Sequence, residues 1–236
     1  MTHLSHSVFD LLGQELNPVQ ERAFALYASE LAIWNEQVSL TAITDPEEVQ
    51  IKHFLDSLSC WLTMRTKPVQ RVIDLGAGAG FPGLPLKILR PEIQLVLVES
   101  VGKKAAFLQH IVQVLGLSGV SVLNQRAEIV GQDTEHRETY DWALARALAP
   151  MPVLAEYLLP FVRLGGYALA QKGPAAPDEV RKAGDAIQIL GGGEPALERV
   201  DVPGLRETRY LVILKKIAKS PEKYPRRVGI PTKRPL

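Results

Sequence analysis

The chain has 236 residues, 46% hydrophobic and 22% charged, with a net charge of +1. That is enough apolar material for one sizeable core plus a small appendage, and it excludes a disordered chain. A single cysteine, Cys60, excludes an internal disulfide framework and fits a reducing, cytoplasmic setting; no apolar run approaches membrane-spanning length, so no membrane partner is expected. Residues 1–66 read as helices. Asn17-Pro18 predicts an N-cap followed by Pro in the first turn, with Val19, Ala23, Leu26, Tyr27, Leu31, Trp34 and Val38 forming one apolar face. Asp45-Pro46-Glu47-Glu48 predicts a second start, with Glu48 closing a capping box and Ile51, Phe54, Leu55 and Leu58 as its stripe. Cys60 continues that stripe and reads as core rather than nucleophile.

At Lys67-Pro68 the pattern changes to β-branched runs alternating with helical stretches. Strands are predicted at 72–75, 95–99, 120–123, 141–146 and 167–171, with helices at 84–89, 103–115, 153–164 and 178–190 between or after them. Two last strands near 197–202 and 209–216, joined by a short link, predict an antiparallel hairpin. Strands apolar along their length, alternating with helices, imply a parallel sheet covered on both faces. The expected fold is α/β: a doubly wound, Rossmann-like sheet with a terminal antiparallel hairpin and an N-terminal helical cap. The expected division is a cap at 1–66, a cofactor-binding domain at 67–217 and a basic, Pro-rich tail at 218–236. The tail holds most of the local positive charge: residues 215–236 carry eight Lys/Arg against Glu222, which is +7, so residues 1–214 sum to −6. Pro221, Pro225, Pro231 and Pro235 predict an extended segment without helix, suited to tracking a polyanion.

The first predicted strand runs into Asp74-Leu75-Gly76-Ala77-Gly78-Ala79-Gly80. Two registers compete. Gly78 to Gly83 is formally GxGxxG, a dinucleotide fingerprint. Gly76, Gly78 and Gly80 form GxGxG behind the acid Asp74. The second is favoured, because the strand ends at Leu75 and because Pro82 and Pro85 lack the N–H groups that a pyrophosphate needs. Asp74 supplies an acceptor for an ammonium, and the glycines let a ligand lie against backbone, which suits S-adenosyl-L-methionine. Glu99 ends the second strand, 23 residues after Gly76, where a carboxylate accepts from ribose hydroxyls. Ala127-Glu128 follows the third β-unit, where the chain passes the adenine.

The stretch from Val72 to Leu86 containing Phe81-Pro82-Gly83 resembles the RsmG (GidB) family. So do Leu40-Thr41, His53 to Leu58, Glu99 to Leu108, Arg126-Ala127-Glu128, Ala145-Arg146-Ala147 and the ending Tyr224 to Leu236. The resemblance implies a 16S rRNA guanine-N7 methyltransferase acting on 16S rRNA or the small ribosomal subunit. It implies cofactor contacts at Gly76, Phe81, Glu99, Ser100, Val101, Ala127, Glu128 and Arg146. Ser39 departs from the pattern, since many members carry Asn there.

The chemistry agrees with that implication. There is no Asn/Asp-Pro-Pro-aromatic run for an exocyclic amine, and Cys60 is misplaced for attack on a pyrimidine carbon. Guanine N7 has no proton to remove, so orientation alone can lower the barrier by ~7–11 kcal/mol. Arg146, at a strand end, is the expected catalytic residue, donating to guanine O6 or a phosphate. His53 and Asp56 share a helical face and read as structural caps of the lid, with an RNA-side pocket wall as the other reading. Lys103 and Lys172, with Arg226, Arg227, Lys233 and Arg234 in the tail, are the expected RNA contacts. The five histidines show no ligand spacing, so no metal is expected, and a monomer is the expected state. The alternatives are a methyltransferase for another RNA or a small molecule, and a nicotinamide oxidoreductase in the Gly78 register.

Overall fold

Asn17 and Asp45 start the N-terminal helices for the reason the sequence predicts: each side chain accepts orphan N–H groups of the first turn. The computed structural model of the protein describes residues 3–236. After α1 (His3–Leu12), α2 (Pro18–Asn35) is capped by Asn17 Oδ1, which accepts from Val19 and Gln20, and the Gln20 side chain closes the box. Only Phe24, Tyr27 and Leu31 of α2 are fully buried, while Val19 is 66% exposed, so the apolar face is narrower than predicted. α3 (Pro46–Val49) is capped by Asp45, but Glu48 pairs with Lys52 at 2.6 Å and closes no box. The helix then widens into a π-helical turn, Gln50–Leu55, and continues as α4 (Asp56–Leu58) and α5 (Cys60–Met64).

The remaining elements are β1 (Arg71–Leu75), α6 (Gly83–Leu89), β2 (Gln94–Val98), α7 (Gly102–Val114), β3 (Val120–Leu123), α8 (Ala127–Val130), β4 (Tyr140–Arg146), α9 (Met151–Leu158), β5 (Val162–Lys172), α10 (Ala176–Lys182), α11 (Gly184–Ile189), β6 (Ala196–Val200), β7 (Arg209–Lys215) and α12 (Ile230–Lys233). The seven strands lie in the order β3-β2-β1-β4-β5-β7-β6. β1 to β5 pair in parallel, and β7 pairs antiparallel with both β5 and β6, which is the expected hairpin. The helix predicted to reach Leu164 ends at Leu158: Pro160 cannot extend it, and the chain tightens through Leu159–Phe161 into β5. The helix predicted at 178–190 breaks into two at Ala183-Gly184.

Side chains along β1 alternate between two cores. Val72 joins the cluster of α1, α2, α6 and α7; Ile73 and Leu75 join that of α9, α10 and α11. Phe24, Tyr27, Leu31, Phe54, Leu55 and Leu58 belong to the first cluster, so the N-terminal helices form one layer of the domain and have no separate core. The segment beyond β7 also folds back. Tyr224 packs in the second cluster, and Pro231 sits in the first turn of α12, where its missing N–H is harmless. The prediction of a helix-free tail is corrected on that point.

Candidate functional site

The order β3-β2-β1-β4-β5 reverses direction between β1 and β4, and ligands bind at the carboxyl ends of strands at such a switch point. Gly76 follows β1 there and Arg146 ends β4. The glycine loop is held by backbone bonds: Gly76 and Ala77 donate to Val98 O, and Gly80 and Phe81 donate to Ala77 O. Gly76 has φ +67°, and a Cβ there would come within 2.6 Å of Leu148.

Asp74 is the expected acceptor for an ammonium group. It is fully buried, and its Oδ2 accepts from Gly83 N at 2.8 Å. Gly83 has no Cβ because one would meet that same oxygen at 2.8 Å, which explains the glycine after Phe81-Pro82. Asp74 therefore braces the loop against α6, and burial pushes its carboxyl up to about 7. Glu99 is a second brace: its two oxygens accept from Gly78 N at 2.9 Å and Val101 N at 2.7 Å. The Gly83, Gly80 and Phe81 N–H groups are all engaged within the protein, which removes the donors that the dinucleotide register would need.

A cavity of about 240 Å³ opens between the glycine loop, the end of β2 and α8. Of the expected cofactor residues, Gly76, Ser100, Ala127 and Glu128 line it. Asp74, Gly78, Gly80, Phe81, Glu99 and Val101 shape the surrounding loop without lining it. Glu128 is buried, and its Oε1 accepts from Tyr157 Oη at 3.3 Å and Gly229 N at 2.9 Å. Tyr157 and Thr232, which also line the cavity, carried no signal: one lies in an apolar helix, the other in the basic tail. The residues present fit an adenosyl group, with Gly76 offering bare backbone at one wall and the buried Glu128 carboxylate at another.

A second, larger cavity of about 520 Å³ lies on the other side of the strand end, lined by Lys52, His53, Asp56, Arg146, Gln171 and Arg209 among others. Arg146 and Ala147 line this one; Leu148 and Ala149 line the smaller one. The turn between them is strained, with Ala147 at φ +53°. Arg146 was expected in both roles, but its side chain belongs to the larger cavity. It donates to Lys52 O at 3.2 Å, contacts Asp56 Oδ2 at 3.4 Å and lies 4.8 Å over the Phe81 ring.

His53 and Asp56, read from sequence as structural caps, are the partners that hold Arg146. Arg146 Nη2 approaches His53 Nδ1 at 3.3 Å, and since a guanidinium only donates, Nδ1 accepts and the proton sits on Nε2, facing Thr41 Oγ1 at 2.7 Å. His53 also stacks on Phe81, with centroids 4.6 Å apart. Burial, then the Arg146 charge, pushes its imidazole down to about 4, so it is neutral. Asp56 is shared with Arg209 at 3.2 Å; burial raises its carboxyl and the two arginines oppose that shift. The π-helical turn places His53 one turn before Asp56 on this site, a distortion with no sequence signature. Gln171 donates to Asp56 O at 2.6 Å, leaving its own Oε1 without a partner among the described residues.

The expected RNA contacts divide. Lys103, Arg227, Lys233 and Arg234 are exposed. Lys172 is partly buried: it donates to Ala149 O, pairs with Glu179 at 2.6 Å and lines the larger cavity. Arg226 is partly buried and binds both oxygens of the fully buried Glu156, at 2.6–3.1 Å. A buried carboxylate captured that cation and pinned the tail. Ser39 is exposed, and the adjoining turn is held by Asn35, which accepts from Leu40 and Thr41. Among the described residues no group of three or more His, Cys, Asp or Glu could hold a metal ion.

A family model described as rRNA small subunit methyltransferase G (GidB) matches residues 20–204. The chain is 55% identical over 224 residues to the ribosomal RNA small subunit methyltransferase G of Roseiflexus castenholzii, covering 95% of each. It is 48% identical to the protein of the same name from Moorella thermoacetica, covering 95% of this chain and 93% of that one. Among solved structures it is similar to a predicted O-methyltransferase from Agrobacterium tumefaciens, with TM-score 0.53 at 19% identity over 71% of this chain and 81% of that chain. It is also similar to a precorrin-6y C5,15-methyltransferase from Geobacter metallireducens, with TM-score 0.51 at 14% identity over 68% of this chain and 87% of that chain. These structural likenesses establish the fold, the class I methyltransferase sheet.

Proposed function

The chain belongs to the rRNA small subunit methyltransferase G (GidB) family, and from that premise we propose that it methylates N7 of a specific guanine in 16S rRNA, with S-adenosyl-L-methionine as donor. The observation that carries this reading is the strained turn at Ala147, which joins a cavity suited to an adenosyl group to a cavity holding a buried arginine. Gly76, Ser100, Ala127 and Glu128 hold the cofactor, with Asp74 and Glu99 fixing the loop behind them. When bound, the cofactor supplies an electrophilic methyl on a sulfonium. The chain has to present a base edge to that methyl and keep water out.

Arg146 is suited to orienting the base. Its guanidinium is held from three sides, so little rotamer freedom is lost on donating to O6 or to a phosphate. No group needs to take a proton, because guanine N7 offers a lone pair, and a neutral His53 beside Arg146 fits a site without acid–base work. Exposed Arg227, Lys233, Arg234 and Lys103 supply phosphate contacts. A ribosomal substrate supports a cytoplasmic setting.

The test is transfer of labelled methyl from the cofactor to undermethylated 16S rRNA and to intact small subunits, followed by mapping of the product. Label at N7 of one guanine is the expected result. Label on an exocyclic amine or a pyrimidine, or none on either substrate, overturns the reading.

A further inference from the structure

The segment after β7 crosses the sheet's second face and ends beside the small cavity. Its anchors are specific, and two of the groups they hold, Tyr224 and Glu156, are buried. Arg137 donates to Tyr224 O at 2.6 Å and Ser220 O at 2.9 Å; Gln132 donates to Pro225 O at 2.8 Å; Arg226 is locked on Glu156. Beyond them Gly229 N donates to Glu128 Oε1, and Thr232 Oγ1 lies 3.1 Å from Tyr157 Oη, which itself contacts Glu128. Glu128, Tyr157 and Thr232 all line the cavity that also contains Gly76, Ser100 and Ala127.

From this geometry we propose that the C-terminal segment, residues 219–236, is a cofactor-binding element: a strap that supplies the outer wall of the adenosyl cavity through Thr232 and fixes Glu128 and Tyr157 in it. The inference rests on reading that cavity as the S-adenosyl-L-methionine site. Ligand sites bury about 70–90% of a small ligand's surface, and without the strap this cavity loses one of its walls and the donor that orients Glu128. The strap is docked by side chains that do not line the cavity, so binding needs no ordering of the chain at that moment, and the wall acts through preorganisation. A polypeptide ending near 228 would keep the glycine loop, Glu99 and Ala127, yet hold the cofactor more weakly.

The experiment measures the dissociation constant of S-adenosylhomocysteine by calorimetry for three proteins besides wild type. They are a chain truncated after Val228, which keeps the Arg226 anchor; Thr232→Trp, which places bulk into the cavity from an exposed position; and Lys182→Ala, which removes an exposed cation of α10 outside the segment. The expected result is binding weakened by about tenfold or more in the first two, and wild-type binding in the third. Melting curves show whether each variant is folded; if the truncated chain is not, Thr232→Trp decides. Binding within about twofold of wild type for Thr232→Trp overturns the proposal. Failure of wild type itself to bind S-adenosylhomocysteine would instead refute the cofactor reading on which it rests.

Discussion

Arg146 carries a full charge in a nearly closed setting, and its neighbours explain how. Asp56 balances it, Lys52 O and His53 accept from it, and the Phe81 ring lies beneath it. Because it lines the larger cavity only, Arg146→Ala is expected to leave the affinity for S-adenosylhomocysteine within a few fold and nearly abolish methyl transfer, as measured by calorimetry and single-turnover kinetics. Unchanged turnover would remove its role. His53 gives a pH signature. The folded protein holds it near 4, whereas the unfolded imidazole titrates near 6.5. The unfolded state thus takes up the proton first, and stability present above 6.5 is lost as pH falls towards 4, by ~3 kcal/mol in full. Asp74, raised to about 7, contributes the opposite slope in the same window. The difference between His53→Gln and wild type is therefore the readout: denaturant midpoints should converge as pH falls from 6.5 to 4.

At the scale of elements, the basic segment turns out to be two things at once. Its buried half is structural. Arg226→Ala leaves Glu156, 0% exposed, without its cation, and such an uncompensated buried charge costs about 3–5 kcal/mol, to be read from urea unfolding. Its exposed half remains available to phosphate. Removing the charges of Arg227, Lys233 and Arg234 together should lower the slope of log K against log salt for a 16S rRNA fragment by about 2, at roughly 0.7 per contact on single strands. An unchanged slope would show that these residues do not meet the backbone. The helical elements behave likewise: α2 follows its cap and Pro, but which residues of its stripe are buried was set by the aromatic cluster of Tyr27, Phe54 and Phe81 that it meets.

At the scale of the whole molecule, the N-terminal helices are part of the domain. Phe24, Tyr27, Leu31, Phe54 and Leu58 are buried in the same cluster as Val72, Leu84 and Leu97. Tyr27 Oη also donates to Ala79 O within the glycine loop, and Arg209 of β7 reaches Asp56 of α4. A fragment of residues 67–236 would expose that face of the sheet and lose both ties. It is expected to unfold without a cooperative transition in calorimetry, while the full chain unfolds as one unit. A cooperative transition in the fragment would support the boundary at residue 66 drawn from the change of pattern at Lys67-Pro68.

Sequence alone determined what local rules govern. Alternation of β-branched runs with helical stretches predicted the sheet, Asn17 and Asp45 the helix starts, and Gly76, Gly78 and Gly80 the loop after β1, because period, capping and positive φ act within a few residues. Tertiary structure decided which acids and cations meet. Asp74 and Glu99 brace the glycine loop, Lys172 and Arg226 pair with Glu179 and Glu156, and His53 and Asp56 meet Arg146 at the larger cavity. Pairing of buried charges depends on residues 7 to 90 or more positions apart, and desolvation makes each buried group take the partner the fold brings near. That dependence lies outside any local pattern, as does the meeting of Thr232 with Tyr157, 75 positions apart.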